Sequence, residues 1–116
     1  MELKWNKCSG SVWCSLNNVN IDHAHFNTMY GVYVIWHGGS RPATVLVGSG
    51  FVRDGIQRER QDSRVQAYAG QGLFVTWAYV PDESREGVKQ YLASVLSPLV
   101  SSQRSLAAPV QVNTPW

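Results

Sequence analysis

Residues 31–60, GVYVIWHGGSRPATVLVGSGFVRDGIQRER, decide the fold. They read as strand, turn, strand, glycine bend and helix. Residues 31–36 and 43–47 are rich in β-branched and aromatic side chains, the composition that suits a pleated surface. Between them the stretch 37–42, HGGSRP, is turn chemistry, long enough for an open hairpin loop rather than a two-residue one. Gly48, Ser49 and Gly50 let the backbone swing out of the second strand, since glycine tolerates φ > 0. Val52 and Ile56 then recur at i and i+4, the start of a helix over 51–64 laid on the sheet.

Outward from this stretch, 67–72 is a loop and 73–80, LFVTWAYV, is a strand apolar on both faces, as a central strand would be. Pro81 stops it, and Asp82 or Ser84 is the N-cap of a helix. Val88, Tyr91, Leu92, Val95 and Leu96 give that helix one apolar stripe, and Pro98 ends it. Residues 101–103 form a linker-like bend, and 109–116 an extended tail packed by its valines. Residues 1–29 are a loop-rich entry with at most one short strand around 11–16. The expectation is a single α+β domain over 1–116, with a small three-stranded, mostly antiparallel sheet flanked by helices in the order β-β-α-β-α.

Composition narrows the classes. A chain of 116 residues buries roughly two thirds of its unfolded surface. A hydrophobic fraction of 44% with five Trp and five Tyr argues a packed globule rather than a disordered segment. No run approaches the ~20 apolar residues of a membrane span. The first residues, MELKWNKCSG, lack the apolar core of a secretory signal, so the expected compartment is cytoplasmic. Cys8 and Cys14 are close enough in sequence to pair, but nothing demands it. Together with His23 and His25 they invite a zinc site; the spacing matches no familiar finger, and no metal is assigned. The net charge of +2 is small for a protein that binds mainly by neutralising phosphates. On the helix 51–64, Arg53, Arg58, Arg60 and Arg64 alternate with Asp54, Glu59 and Asp62, the pattern of a solvated face laced with ion pairs.

The order of elements and the residues at their signature positions carry a resemblance. Gly31-Val32-Tyr33 stands on the first strand and Leu46-Val47-Gly48 on the second. Val52-Arg53-Asp54-Gly55-Ile56 heads the first helix, Lys89 lies within 87–92, and Asn113 lies in the tail. In this order and spacing the chain resembles the GIY-YIG nuclease superfamily over residues 30–116, and a small bacterial branch of it in particular. The resemblance implies descent from enzymes that cut nucleic-acid phosphodiesters. In that family a first-strand tyrosine serves as or assists the base, a helix arginine stabilises charge on the phosphate, and a glutamate holds magnesium or manganese.

Carried over residue by residue, the resemblance keeps Tyr33 at the base position. The second-strand tyrosine is Leu46, the arginine is Gly55, the helix residue that is often histidine is Glu59, and the glutamate is Lys89. Glycine offers no donor, and lysine repels a divalent cation instead of holding it. Arg58 or Arg60 reaching round, and Glu86 one helical turn before Lys89, are the candidates for relocated groups. The resemblance therefore implies a catalytically degenerate domain without a cofactor. It would act by binding nucleic acid, through Arg53, Arg58, Arg60, Lys89 and Asn113, or a protein partner. One alternative is an active endonuclease using magnesium or manganese with relocated groups, Glu86 as metal ligand; another is a structural or protein-interaction module. Plainer roles stay open for each residue. Tyr33 is then a half-buried aromatic with its hydroxyl at the rim, and Asn113 bonds local backbone in a turn. The arginines are solvent charges, Trp36, Trp77 and Trp116 are packing, and Gly48 and Gly50 serve the backbone alone.

Overall fold

The computed structural model describes residues 1–102 and 106–116. Its centre is an antiparallel sheet of four strands, one more than expected, in the order β1-β4-β2-β3. The hairpin is β2 (Tyr30–His37) and β3 (Ala43–Phe51); β4 (Leu73–Tyr79) returns beside β2, and β1 (Cys14–Ser15) borders β4. The helices are α1 (Val52–Gln61), the short α2 (Ser63–Gln66) and α3 (Asp82–Leu96). The α+β class is as the sequence implies.

Strand alternation divides the core in two. Tyr33 and Ile35 of β2 point to one face, where Leu46, Val52, Ile56, Val65, Val75 and Trp77 surround them. Val32, Val34 and Trp36 point to the other, against Val47, Ala78, Val88, Leu92 and Val112. The first face is covered by α1 and the N-terminal segment, the second by α3 and the tail. Both faces of β2 and β4 are therefore dry, which explains why these strands read as apolar runs.

Several local expectations change. β3 does not leave the sheet at its glycines; it runs on to Phe51, with Gly50 at φ 119° taking up the bend inside the strand. The single helix expected over 51–64 breaks at Asp62, which is extended and whose carboxylate accepts from the Arg64 N–H to cap α2. α3 begins directly after Pro81 with no side-chain cap, so neither Asp82 nor Ser84 plays that part. Of the bend expected at 101–103, Gln103 lies outside the described residues.

Residues 1–29 belong to the fold rather than trailing from it. The Asn6 N–H donates to the Trp77 carbonyl at 3.0 Å, Leu16 N–H to Leu73 at 3.0 Å, and the Thr76 hydroxyl to the Asn6 carbonyl at 2.7 Å, so this segment closes the β4 edge. Cys8 and Cys14 form a disulfide there. At the opposite edge, the Leu99 and Val100 N–H groups donate to Thr44 and Val45, and the Ser102 hydroxyl to Val47. Among the described residues that cover reaches the first half of β3. Beyond Val47 the edge borders a cleft.

Candidate functional site

The cleft has a volume of about 470 Å³ and straddles the β3 edge. Leu46, Gly48 and Ser49 form its floor, with Arg58, Glu59, Asp62 and Arg64 on the α1 side and Glu86, Lys89 and Ser102 opposite. Tyr33 lies beneath. Because β3 is an edge strand, residues from helices on opposite faces of the sheet meet around it.

Tyr33 organises the floor. Its ring is fully buried, not half-exposed at a rim. It is wedged between Gly48 on the neighbouring strand and Gly55 on α1, and a Cβ at either position would run into the ring. Gly48 and Gly55 are thus glycines for the phenol's space rather than for a turn. Gly55, where the resemblance would put an arginine, faces this ring, and a side chain there would run into it at its first carbon.

The polar tip of Tyr33 is fully engaged. Its O–H donates to Glu59 Oε2 at 2.6 Å, and Arg58 Nη2 donates to the phenol oxygen at 2.9 Å. Glu59 is 4% exposed and shares the α1 stripe Val52, Gly55, Ile56, Glu59, so the helix's own periodicity points this carboxylate inward. Arg58 Nη2 also lies 3.6 Å from Glu59 Oε2, yet 63% of the Arg58 side chain remains exposed. Burial, and then the negative charge of Glu59, push the phenol well above its ordinary pKa. Arg58 is raised in turn, chiefly by Tyr33. The phenol is a locked donor, and the guanidinium above it is a fixed cation with one side to solvent.

Around this triad the carboxylates have partners. Asp62 pairs with Arg64 at 2.8 Å, and hydrogen bonding from Arg64 holds its carboxyl below the usual range. Glu86 accepts from the Ser49 hydroxyl at 2.9 Å. Lys89 of α3 lines the same cleft as Arg58. Among the described residues no three His, Cys, Asp or Glu side chains are grouped to hold a metal ion.

The remaining sequence-derived candidates are placed elsewhere. Arg53 donates to the carbonyls of Ile21 at 2.6 Å and His23 at 3.2 Å and to Asn27 Oδ1 at 2.7 Å. Arg60 donates to the carbonyls of Leu16 at 2.7 Å and Val19 at 2.6 Å. At i and i+7 they share one helix face, and that face clamps the N-terminal segment instead of being solvated. Asn113 bonds the Leu3 N–H at 2.6 Å and the Leu3 carbonyl at 2.9 Å, joining the chain's two ends rather than capping a local turn. Trp36 and Trp77 are core residues; Trp116 is partly exposed and packs at the edge of Trp13 and Trp36. Of the named candidates, the cleft gathers Tyr33, Leu46, Arg58, Glu59, Glu86 and Lys89. It adds Ser49, Asp62, Arg64 and Ser102, whose polar side chains carry no motif.

No family model, curated protein or solved structure matches the chain.

Proposed function

We propose that the chain acts by binding a phosphate-bearing partner, a nucleic acid, at the β3-edge cleft, and does not cut it. The observation that carries this reading is the exposed Arg58 guanidinium held on the buried Tyr33–Glu59 pair, in a cleft that Lys89 also lines. A cation fixed from below loses little side-chain entropy when an anion arrives. Lys89 occupies the place where the GIY-YIG resemblance would put the metal-holding glutamate, and Arg58 takes over from Gly55, which the phenol blocks. A tyrosine whose proton is held by a carboxylate is a poor general base. The donor set does not fit a divalent ion either: three cationic side chains share the cleft, and its carboxylates are bonded to Tyr33, Arg64 and Ser49.

One observation favours a second reading. Arg58 and Glu86, the two groups that a relocated active site would need, do line the same cleft as Tyr33. Incubating supercoiled plasmid with the protein and magnesium or manganese separates the two. The binding reading expects no nicking; nicking that Tyr33→Phe abolishes would establish an endonuclease. Duplex and single-stranded oligonucleotides titrated with salt test binding itself, and no binding at low salt would turn the role to a protein partner.

Among the described residues no helix is long and apolar enough to cross a membrane. The Cys8–Cys14 disulfide supports an oxidising compartment over the cytoplasmic one.

A further inference from the structure

Toward the other end of β3 lies a second hollow, of about 560 Å³, with the opposite character to the cleft. The two share no lining residue. Among the described residues no Asp, Glu, Lys or Arg lines this one; its walls are Trp116, Val95, Leu96 and Pro42. Trp36 is centred 4.8 Å from Trp116 and 5.2 Å from Trp13, in edge contacts that hold the rings in place. These rings cover one another, so they form an apolar wall rather than a stacking platform. Trp116 is 56% exposed and Val95 48%, so apolar surface remains open there.

Thr44 is the exception in this lining. It is opposed to Trp36 in register and shares its face of the sheet, the α3 side. Thr44 is 7% exposed, and its backbone carbonyl takes the Leu99 N–H. Among the described residues nothing bonds its hydroxyl. A polar group so enclosed ordinarily has a partner. The one side-chain polar atom both sealed from solvent and unpartnered among the described residues is Arg85 Nε. The Thr44 hydroxyl is therefore not sealed in the core; it opens on the hollow that Thr44 lines.

The lining selects its ligand. An ion would give up hydration to apolar walls that offer no counter-charge. A polyol would set several hydroxyls against the same walls, and a hydrocarbon would leave Thr44 unmet. We propose that the hollow binds an uncharged small molecule with an apolar body and one hydrogen-bonding oxygen. The oxygen meets Thr44 Oγ1, and the body lies against Trp116, Val95 and Leu96. The volume falls in the range of small-molecule sites. This site is independent of the nucleic-acid reading.

The test is an NMR titration following the Thr44 amide and the Trp116 indole N–H. Its probes are benzyl alcohol, toluene and benzoate, which carry a hydroxyl, no polar group and a charge on one ring. Wild type is expected to bind benzyl alcohol saturably and benzoate more weakly. Thr44→Val keeps the shape and removes the hydroxyl. It is expected to weaken benzyl alcohol about 3- to 10-fold and to leave toluene unchanged. Its urea midpoint should be no lower than wild type, because the lost hydroxyl has no partner in the fold. Val95→Gln, an exposed change on α3, should weaken benzyl alcohol and toluene alike, and Arg58→Ala should weaken neither. No saturable binding of benzyl alcohol would overturn the proposal. So would equal benzyl alcohol affinities for wild type and Thr44→Val, tighter binding of benzoate, or a lowered urea midpoint for Thr44→Val. Oligonucleotide binding absent while benzyl alcohol binds as expected would overturn the cleft reading alone.

Discussion

Tyr33 and Trp77 are direct neighbours, opposed in register on β2 and β4 and pointing to the same face. Both are buried aromatics whose polar tips must be satisfied, and the fold satisfies them in opposite ways. The phenol takes ionised partners from α1, Glu59 and Arg58, and comes out beneath a charged cleft. The indole N–H donates to neutral His25 Nε2 at 3.0 Å, beside the disulfide-closed N-terminal segment. One partner set leaves a cation facing solvent. The other ties down a loop. Burying a polar tip thus yields a site only where the group that satisfies it has charge left over.

Filling the space around the phenol is the harshest way to break this contrast. Gly48→Ala should cost about 3 kcal/mol in urea denaturation, because a buried methyl group has no room beside the ring. Tyr33→Phe should cost about 2 kcal/mol by the same measurement, since Glu59 loses a donor while buried. Oligonucleotide affinity should fall with it, because Arg58 loses its anchor. On the Trp77 side, replacing Cys8 and Cys14 together by Ser should cost no more than about 2 kcal/mol for so short a loop, and leave oligonucleotide affinity unchanged. A loss of binding in that variant would mean the two regions are not independent.

The pH response sharpens the comparison further. Burial, then the charges of His23 and Lys4, hold His25 below its ordinary value. A neutral imidazole is also what the indole N–H requires as acceptor. With the folded pKa depressed, the unfolded state binds the extra proton first, so this stabilisation is complete above the unfolded value of about 6.5 and is lost as pH falls through the folded value. Trp77 fluorescence should change across that window, and His25→Gln should flatten the change. The smallest effect belongs to Glu86→Gln, expected to raise oligonucleotide affinity about two- to threefold by removing a negative charge from the cleft. Magnesium-dependent binding lost in Glu86→Gln would instead favour the relocated-ligand reading.

Much of this architecture is legible in the sequence, and the exceptions share a cause. β2, β3, β4, α1 and α3 announce themselves by period and by Gly and Pro boundaries, because those signals are local. The two-residue β1, the pairing of Leu3 with Asn113 and the clamps made by Arg53 and Arg60 depend on contacts distant in sequence, and composition gives no hint of them. The cleft was half visible. Arg58, Glu86 and Lys89, singled out from helix geometry, line it, whereas Arg53, Arg60 and Asn113 bond the N-terminal segment instead. Glu59 had a usable signal: it continues the Val52, Gly55, Ile56 stripe, so a carboxylate was due to enter the core beside a strand aromatic. Gly48 and Gly55 are open to the same inference, as two small residues that make room for one large ring.

The central claim is that Arg58, mounted on the Tyr33–Glu59 pair, grips phosphate. Its most direct test is the salt dependence of oligothymidylate binding by wild type and Arg58→Ala, both folded by circular dichroism. The account predicts weaker binding in the variant and a log K against log salt slope shallower by about 0.7, one phosphate contact fewer. Superimposable slopes and affinities for the two proteins would contradict it.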